Sequence, residues 1–113
     1  MKTKYFLLSI TFLFIAFFSF AAIKNDTLKV SGICSECKGH IETAARTAGA
    51  ATAYWNKDTK LLVVKYDDTK TSLFAIEKQI AAAGYDTPDI KATNAAYKSL
   101  DECCQYDRQW KKQ

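Results

Sequence analysis

The spacing of apolar positions along the chain changes period several times, and each change predicts an element. Polar and apolar residues alternate over 26–31, with Leu28 and Val30 on one side, which predicts a short half-buried strand ended by Gly32. From Ser35 the steps become three and four. Cys37, Ile41, Ala44, Ala45 and Ala48 then share one face of a helix, and Gly49 closes it as a C-terminal cap. Glu42 and Arg46, four apart on the opposite face, have the favourable order for a surface ion pair. Two β-rich runs, "ATAYWN" and "KLLVVKYD", flank a polar turn over 56–59 and predict a hairpin with a loop longer than two residues. Leu62, Val64 and Tyr66 alternate on one face and Lys65 faces away, so the sheet has one wet side. Thr69, Thr71 and Ser72 offer N-cap oxygens for a second helix, whose stripe is Leu73, Ile76, Ile80 and Ala83 and whose end is Gly84. A short last strand is expected over 89–92, with Pro88 confining it to an edge or to the strand's start.

The order strand, helix, strand, strand, helix, strand is the split βαβ pattern of an α+β, ferredoxin-like βαββαβ sandwich. An antiparallel four-stranded sheet with two helices on one face is expected, followed by a C-terminal tail in which Tyr97 and Leu100 have helical spacing. Before all this stand Lys2 and Lys4, an apolar run over 5–20 and the small residues Ala21 and Ala22, the three-part layout of a secretory signal peptide. The run is shorter than the roughly 20 residues a membrane span needs. The expected organisation is therefore a cleaved signal peptide over 1–22, one domain over 23–92 and a tail over 93–113. That places the mature chain in the periplasm or outside the cell, with no membrane anchor once the leader is removed. Without Lys2 and Lys4 the formal charge drops two units from +4, too little to argue for a nucleic-acid partner.

All four cysteines, Cys34, Cys37, Cys103 and Cys104, lie beyond the leader. In a small exported chain an even count first suggests disulfides, here with three connectivities. Bridges within either close pair would constrain little of the unfolded chain. Only links between the clusters would staple the fold, and those require the tail to return to the first loop. Cys34 and Cys37 fall where a strand gives way to a helix N-terminus, whose backbone N–H groups favour thiolates. Two such thiolates bind soft metal ions. Cu(I), content with two or three sulfurs, fits the count better than Zn(II), which usually takes four ligands. The same electrostatics suit a thiol-disulfide oxidoreductase. No proline or aromatic residue stands between or directly before the cysteines, which favours the metal.

"LKVSGICSECKGHIETAARTAG", the hairpin ending "VVKYD" and then "IEKQIAAAGYDT" together resemble the heavy-metal-associated domain of copper chaperones, mercury-scavenging periplasmic proteins and metal-pump N-termini. The resemblance covers about residues 28–92. It implies that Cys34 and Cys37 grip the metal, and that the loop after the second helix brings Tyr85 beside them. It also implies a metal-donor or metal-acceptor partner such as a transporter, and admits Hg(II) as well as Cu(I) and Zn(II). The family commonly reads Gly-Met-x-Cys-x-x-Cys, with the methionine packed beneath the loop. Ser31, Gly32 and Ile33 precede Cys34 here, so the methionine is missing.

His40, one helical turn after Cys37, would complete a Cys-x-x-Cys-x-x-His run, although its place beside Ile41 and off the apolar stripe reads more simply as a solvated side chain. Cys103 and Cys104 have three readings: thiolates that close over the first pair, with the flanking Tyr97, Leu100 and Tyr106 docking the tail; partners in inter-cluster disulfides; or free thiols on an oxidation-prone end. Tyr54, Trp55 and Tyr66 read as core or rim packing, and the exposed lysines as a solvated face that can help dock an acidic partner. No nucleophile with a base and no acid pair is apparent, so no enzymatic activity is expected. The expected function is binding of a soft heavy-metal ion, Cu(I) first, by a monomer that passes it on or sequesters it. The alternatives are a small exported thiol oxidoreductase and a disulfide-stapled interaction module.

Overall fold

Strand β1, Ile23–Lys29, and strand β2, Thr52–Trp55, both pair antiparallel with the central strand β3, Leu61–Asp67, in a sheet of order β1-β3-β2. The computed structural model describes residues 22–108. The signal peptide expected over 1–22 therefore falls, except for Ala22, outside the described residues, as does the last stretch of the tail. Among the described residues no helix is long and apolar enough to cross a membrane.

The register places Leu28 opposite Leu62 and Trp55 opposite the same residue, so one face of the sheet gathers Leu28, Trp55, Leu62, Val64 and Tyr66, all buried. Helix α1, Ser35–Thr47, lays Cys37, Ile41, Ala44 and Ala45 on that face. Helix α2, Leu73–Ala82, adds Ile76 and Ile80 and packs against α1. The other face of the sheet is open to solvent, with Tyr54, Leu61 and Val63 exposed. Removing the inward side chains from water supplies the main force holding the layers together.

Backbone geometry ends both helices where glycine permits it. Gly49 and Gly84 have φ of +111° and +108°, and Ala50 and Tyr85 donate back to the carbonyls of Ala45 and Ile80. Of the three candidate caps for α2, Ser72 performs the role, its side chain accepting from Ala75 N–H at 3.1 Å. Thr71 instead donates to the Ala48 carbonyl at the end of α1, and Thr69 to Asp67 Oδ1, each at 2.6 Å. The hairpin loop is closed by Asn56, whose Oδ1 accepts from the N–H groups of Asp58 and Thr59.

Two expectations are corrected. The i,i+4 ion pair on α1 joins Lys38 to Glu42, and Glu42 also accepts the Trp55 N–H, so Glu42 faces β2 and leaves Arg46 to bond Thr43 Oγ1. The fourth strand over 89–92 does not form, and among the described residues the sheet has three strands. Ser31 N–H still donates to the Asp86 carbonyl at 3.1 Å, the start of such a pairing. Beyond it the chain curls: Thr87 N–H donates to the Ile90 carbonyl at 2.9 Å, and Ala92 N–H donates to Asp86 Oδ1 at 2.8 Å. Pro88 has no N–H to contribute to a ladder.

The tail continues as a short helix α3, Asn94–Lys98, capped by Thr93 Oγ1, and a 3₁₀ turn, Glu102–Cys104. It lies on the domain rather than apart from it, since Leu100, Cys104 and Tyr106 join the buried core.

Candidate metal centre

The strand-to-helix junction fixes the first cysteine pair. Val30 is held by its N–H to the Lys60 carbonyl and by the Trp55 indole, whose Nε1–H donates to the Val30 carbonyl at 3.0 Å. Gly32 then runs directly over that indole. A Cβ at Gly32 would sit 2.8 Å from Trp55 Cζ2 and 3.2 Å from Ile41 Cδ1. The space beneath the loop, which the family resemblance assigns to a methionine, is filled here from β2 by Trp55.

Cys34 is the N-cap residue of α1, with extended backbone (φ −126°, ψ 175°), and Cys37 enters the first turn fully buried. Their Sγ atoms are 3.3 Å apart. Burial works against a charged sulfur at Cys34. The Cys37 N–H, the thiols of Cys37 and Cys104 and the Glu36 N–H outweigh it, and together bring the Cys34 pKa from 9.0 down to about 7.

The tail does return to this loop. Cys104, fully buried, places its Sγ 3.7 Å from Cys34 Sγ, and the Cys103 carbonyl accepts from the Cys34 thiol at 3.3 Å. The Sγ atoms of Cys34, Cys37 and Cys104 all lie within 4.8 Å of one another. Burial pushes the Cys104 thiol up, as does its contact with Cys37. Cys103 is exposed: its thiol donates to Glu36 Oε2 at 2.9 Å, which raises its pKa to about 11 and lowers that of Glu36, and its sulfur stands 3.9 Å from Cys104 Sγ. All four cysteines are free thiols in the structure.

Tyr85, in the loop after α2, is fully buried beside Cys37 and Cys104. Its pKa is raised by burial and by hydrogen bonding to Cys104. Its hydroxyl meets His40 Nδ1 at 2.9 Å. His40 is thus exposed and tied to Tyr85, and it belongs to neither group of sulfur and carboxylate atoms close enough to share an ion. Lys38, near the loop, covers the Tyr54 ring at 3.9 Å and bonds the Trp55 carbonyl.

Tyr97, Leu100 and Tyr106, the apolar residues that flank the second cysteine pair, dock the tail on the domain, together with Asp86 and Arg108, which the sequence did not single out. The Tyr106 hydroxyl accepts from Asp86 N–H at 3.0 Å and directs its proton toward Asp86 Oδ2 at 2.7 Å and the Gly84 carbonyl at 2.9 Å. Arg108 grips both Asp86 oxygens and the Ala92 carbonyl. Tyr97 donates to the Tyr106 carbonyl and meets its ring edge-on, at 5.0 Å between centroids. No local pattern marked the pairing of Asp86 with Arg108, which are far apart in the chain.

A family model described as the heavy-metal-associated domain matches residues 27–86, more than half of the chain. Among solved structures, a CopZ metallochaperone is 30% identical with a TM-score of 0.54, over 57% of this chain and 98% of that one. The oxidised MerP of Ralstonia metallidurans CH34 is 34% identical with a TM-score of 0.56, over 58% and 94%. The water-soluble region of the P-type ATPase CopA from Bacillus subtilis is 30% identical with a TM-score of 0.55, over 61% of this chain and 47% of that one. No curated protein sequence gives a significant match.

Proposed function

Since this chain belongs to the heavy-metal-associated domain family, we propose that it binds Cu(I) between Cys34 and Cys37, outside the cytoplasm, and either passes the ion on or sequesters it. The observation that carries the reading is the pair itself. Two sulfurs stand 3.3 Å apart at a helix N-terminus, one of them with a pKa near 7, so that at neutral pH much of it is already thiolate. Soft thiolates select soft ions, and a set this small suits Cu(I) better than a tetrahedral Zn(II) site. Hg(II) is a further soft candidate.

Transfer proceeds by thiolate exchange, in which a partner cysteine enters the metal's shell before one of this protein's leaves. A CopA-like transporter is the kind of donor or acceptor this reading calls for, with the lysines near the loop meeting an acidic partner surface. On this reading the protein acts as a monomer, and its role is binding rather than catalysis. Titrating the reduced protein with Cu(I), Zn(II) and Hg(II) beside a Cys34→Ser/Cys37→Ser variant tests the reading. Equal binding by both proteins overturns it.

One observation favours a second reading. A half-exposed thiol with a pKa near 7, next to a buried one, also describes the nucleophile of a thiol oxidoreductase. Insulin reduction at a rate above that of free dithiol supports that reading, and a rate equal to it removes it.

A further inference from the structure

Cys104 reaches the Cys34 and Cys37 pair through a tail that is anchored on both of its sides. Upstream, Leu100 packs over Gly84, where a Cβ would sit 2.8 Å from the Ala96 carbonyl oxygen and 2.9 Å from Leu100 Cδ2. Downstream, Tyr106 and Arg108 close on Asp86. The sulfur between these anchors is fully buried, so joining an ion requires little new ordering of the chain.

The sulfur spacing also favours three donors over two. With a metal–thiolate bond of about 2.3 Å, two sulfurs on opposite sides of an ion stand about 4.6 Å apart, and three in a plane around it about 4.0 Å apart. The observed 3.3 Å from Cys34 to Cys37 and 3.7 Å from Cys34 to Cys104 fall well short of the linear separation, and all three sulfurs already lie within 4.8 Å, so a third donor is at hand. Cys103 does not belong to this triangle: its sulfur is 3.9 Å from Cys104, but its thiol is hydrogen-bonded to Glu36, and it groups with Glu36 and Cys104 instead.

We infer that Cys34, Cys37 and Cys104 form a three-thiolate pocket for Cu(I), in which Cys104 takes the position that a partner's thiolate would otherwise occupy. The inference rests on the family reading of the Cys34 and Cys37 loop. It favours retention over rapid hand-over, because an incoming thiolate must first displace the tail. On binding, the ion replaces the thiol protons, which leave to solvent.

The test loads the reduced protein with one equivalent of Cu(I), using a non-thiol reductant, and counts sulfur neighbours by X-ray absorption. A chromophoric Cu(I) chelator in competition gives the affinity. Three sulfurs are expected for the wild type and for Cys103→Ala. Cys104→Ala is expected to show two, at least tenfold weaker binding and faster loss of the ion to an added dithiol. A two-sulfur shell in the wild type overturns the three-thiolate pocket alone, and so does a Cys104→Ala variant with wild-type shell and affinity. Absence of Cu(I) binding overturns it together with the proposed function. The wild-type sulfur count decides the matter even if Cys104→Ala fails to fold.

Discussion

Asp86 and Arg108 form a buried ion pair, with Arg108 Nη2 3.0 Å from Asp86 Oδ1 and Nε 3.3 Å from Oδ2, and this pair decides where the tail lies. Asp86 ends the segment that matches the family, and Arg108 comes long after it. With both side chains almost wholly out of water, removing one partner leaves the other charged and buried. Asp86→Ala is expected to cost about 3–5 kcal/mol, read by urea unfolding. It should also make Cys104 reactive toward a thiol reagent in the native protein.

Gly32 is expected to tolerate no side chain. A methyl group there collides with the Trp55 indole, a rigid ring that is itself buried and hydrogen-bonded to Val30. Gly32→Ala should destabilise by about 1–3 kcal/mol, the usual range for overpacking. In a Trp110→Phe background the fluorescence of Trp55 should shift, reporting the ring's displacement.

Alkylation of Cys34 should titrate near pH 7. The folded protein lowers its pKa from 9.0 to about 7, so the reactive thiolate persists well below the range of an ordinary cysteine. A lowered pKa means that the unfolded chain binds the proton more tightly. The stabilisation is therefore fully present above pH 9 and is lost as pH falls through about 7. Iodoacetamide labelling of the reduced, metal-free protein, followed peptide by peptide, checks the profile, and unfolding curves of Cys34→Ser against wild type check the sign.

Ser72→Ala should cost about 0.5–2 kcal/mol through loss of the single side-chain cap on α2. Thr71→Ala should loosen the contact between the start of α2 and the end of α1, where Thr71 Oγ1 donates to the Ala48 carbonyl. Thermal unfolding of the two single variants and the double tests whether the effects add.

Local patterns carried most of the fold. Strand alternation around Leu28, the three-and-four spacing from Cys37 to Ala45, and glycines at 49 and 84 are each set within a few residues, so their elements were legible, although β1 runs Ile23–Lys29 rather than over 26–31. The missing fourth strand was not. Its backbone groups bond within the 87–90 turn and to the Asp86 carboxylate, and that carboxylate is shared with a residue far along the chain.

The sequence by itself determined the two helices, the hairpin and the thiol pair at the start of α1, because helix periodicity, caps and dipoles act over one or two turns. The tertiary structure decided what surrounds that pair. It filled the space under Gly32 with Trp55, tied His40 to Tyr85, and brought Cys104 to Cys34 while leaving Cys103 with Glu36. Those outcomes depend on contacts between residues tens of positions apart, such as Asp86 with Tyr106 and Arg108, which form only once the domain provides a surface on which the tail can fold.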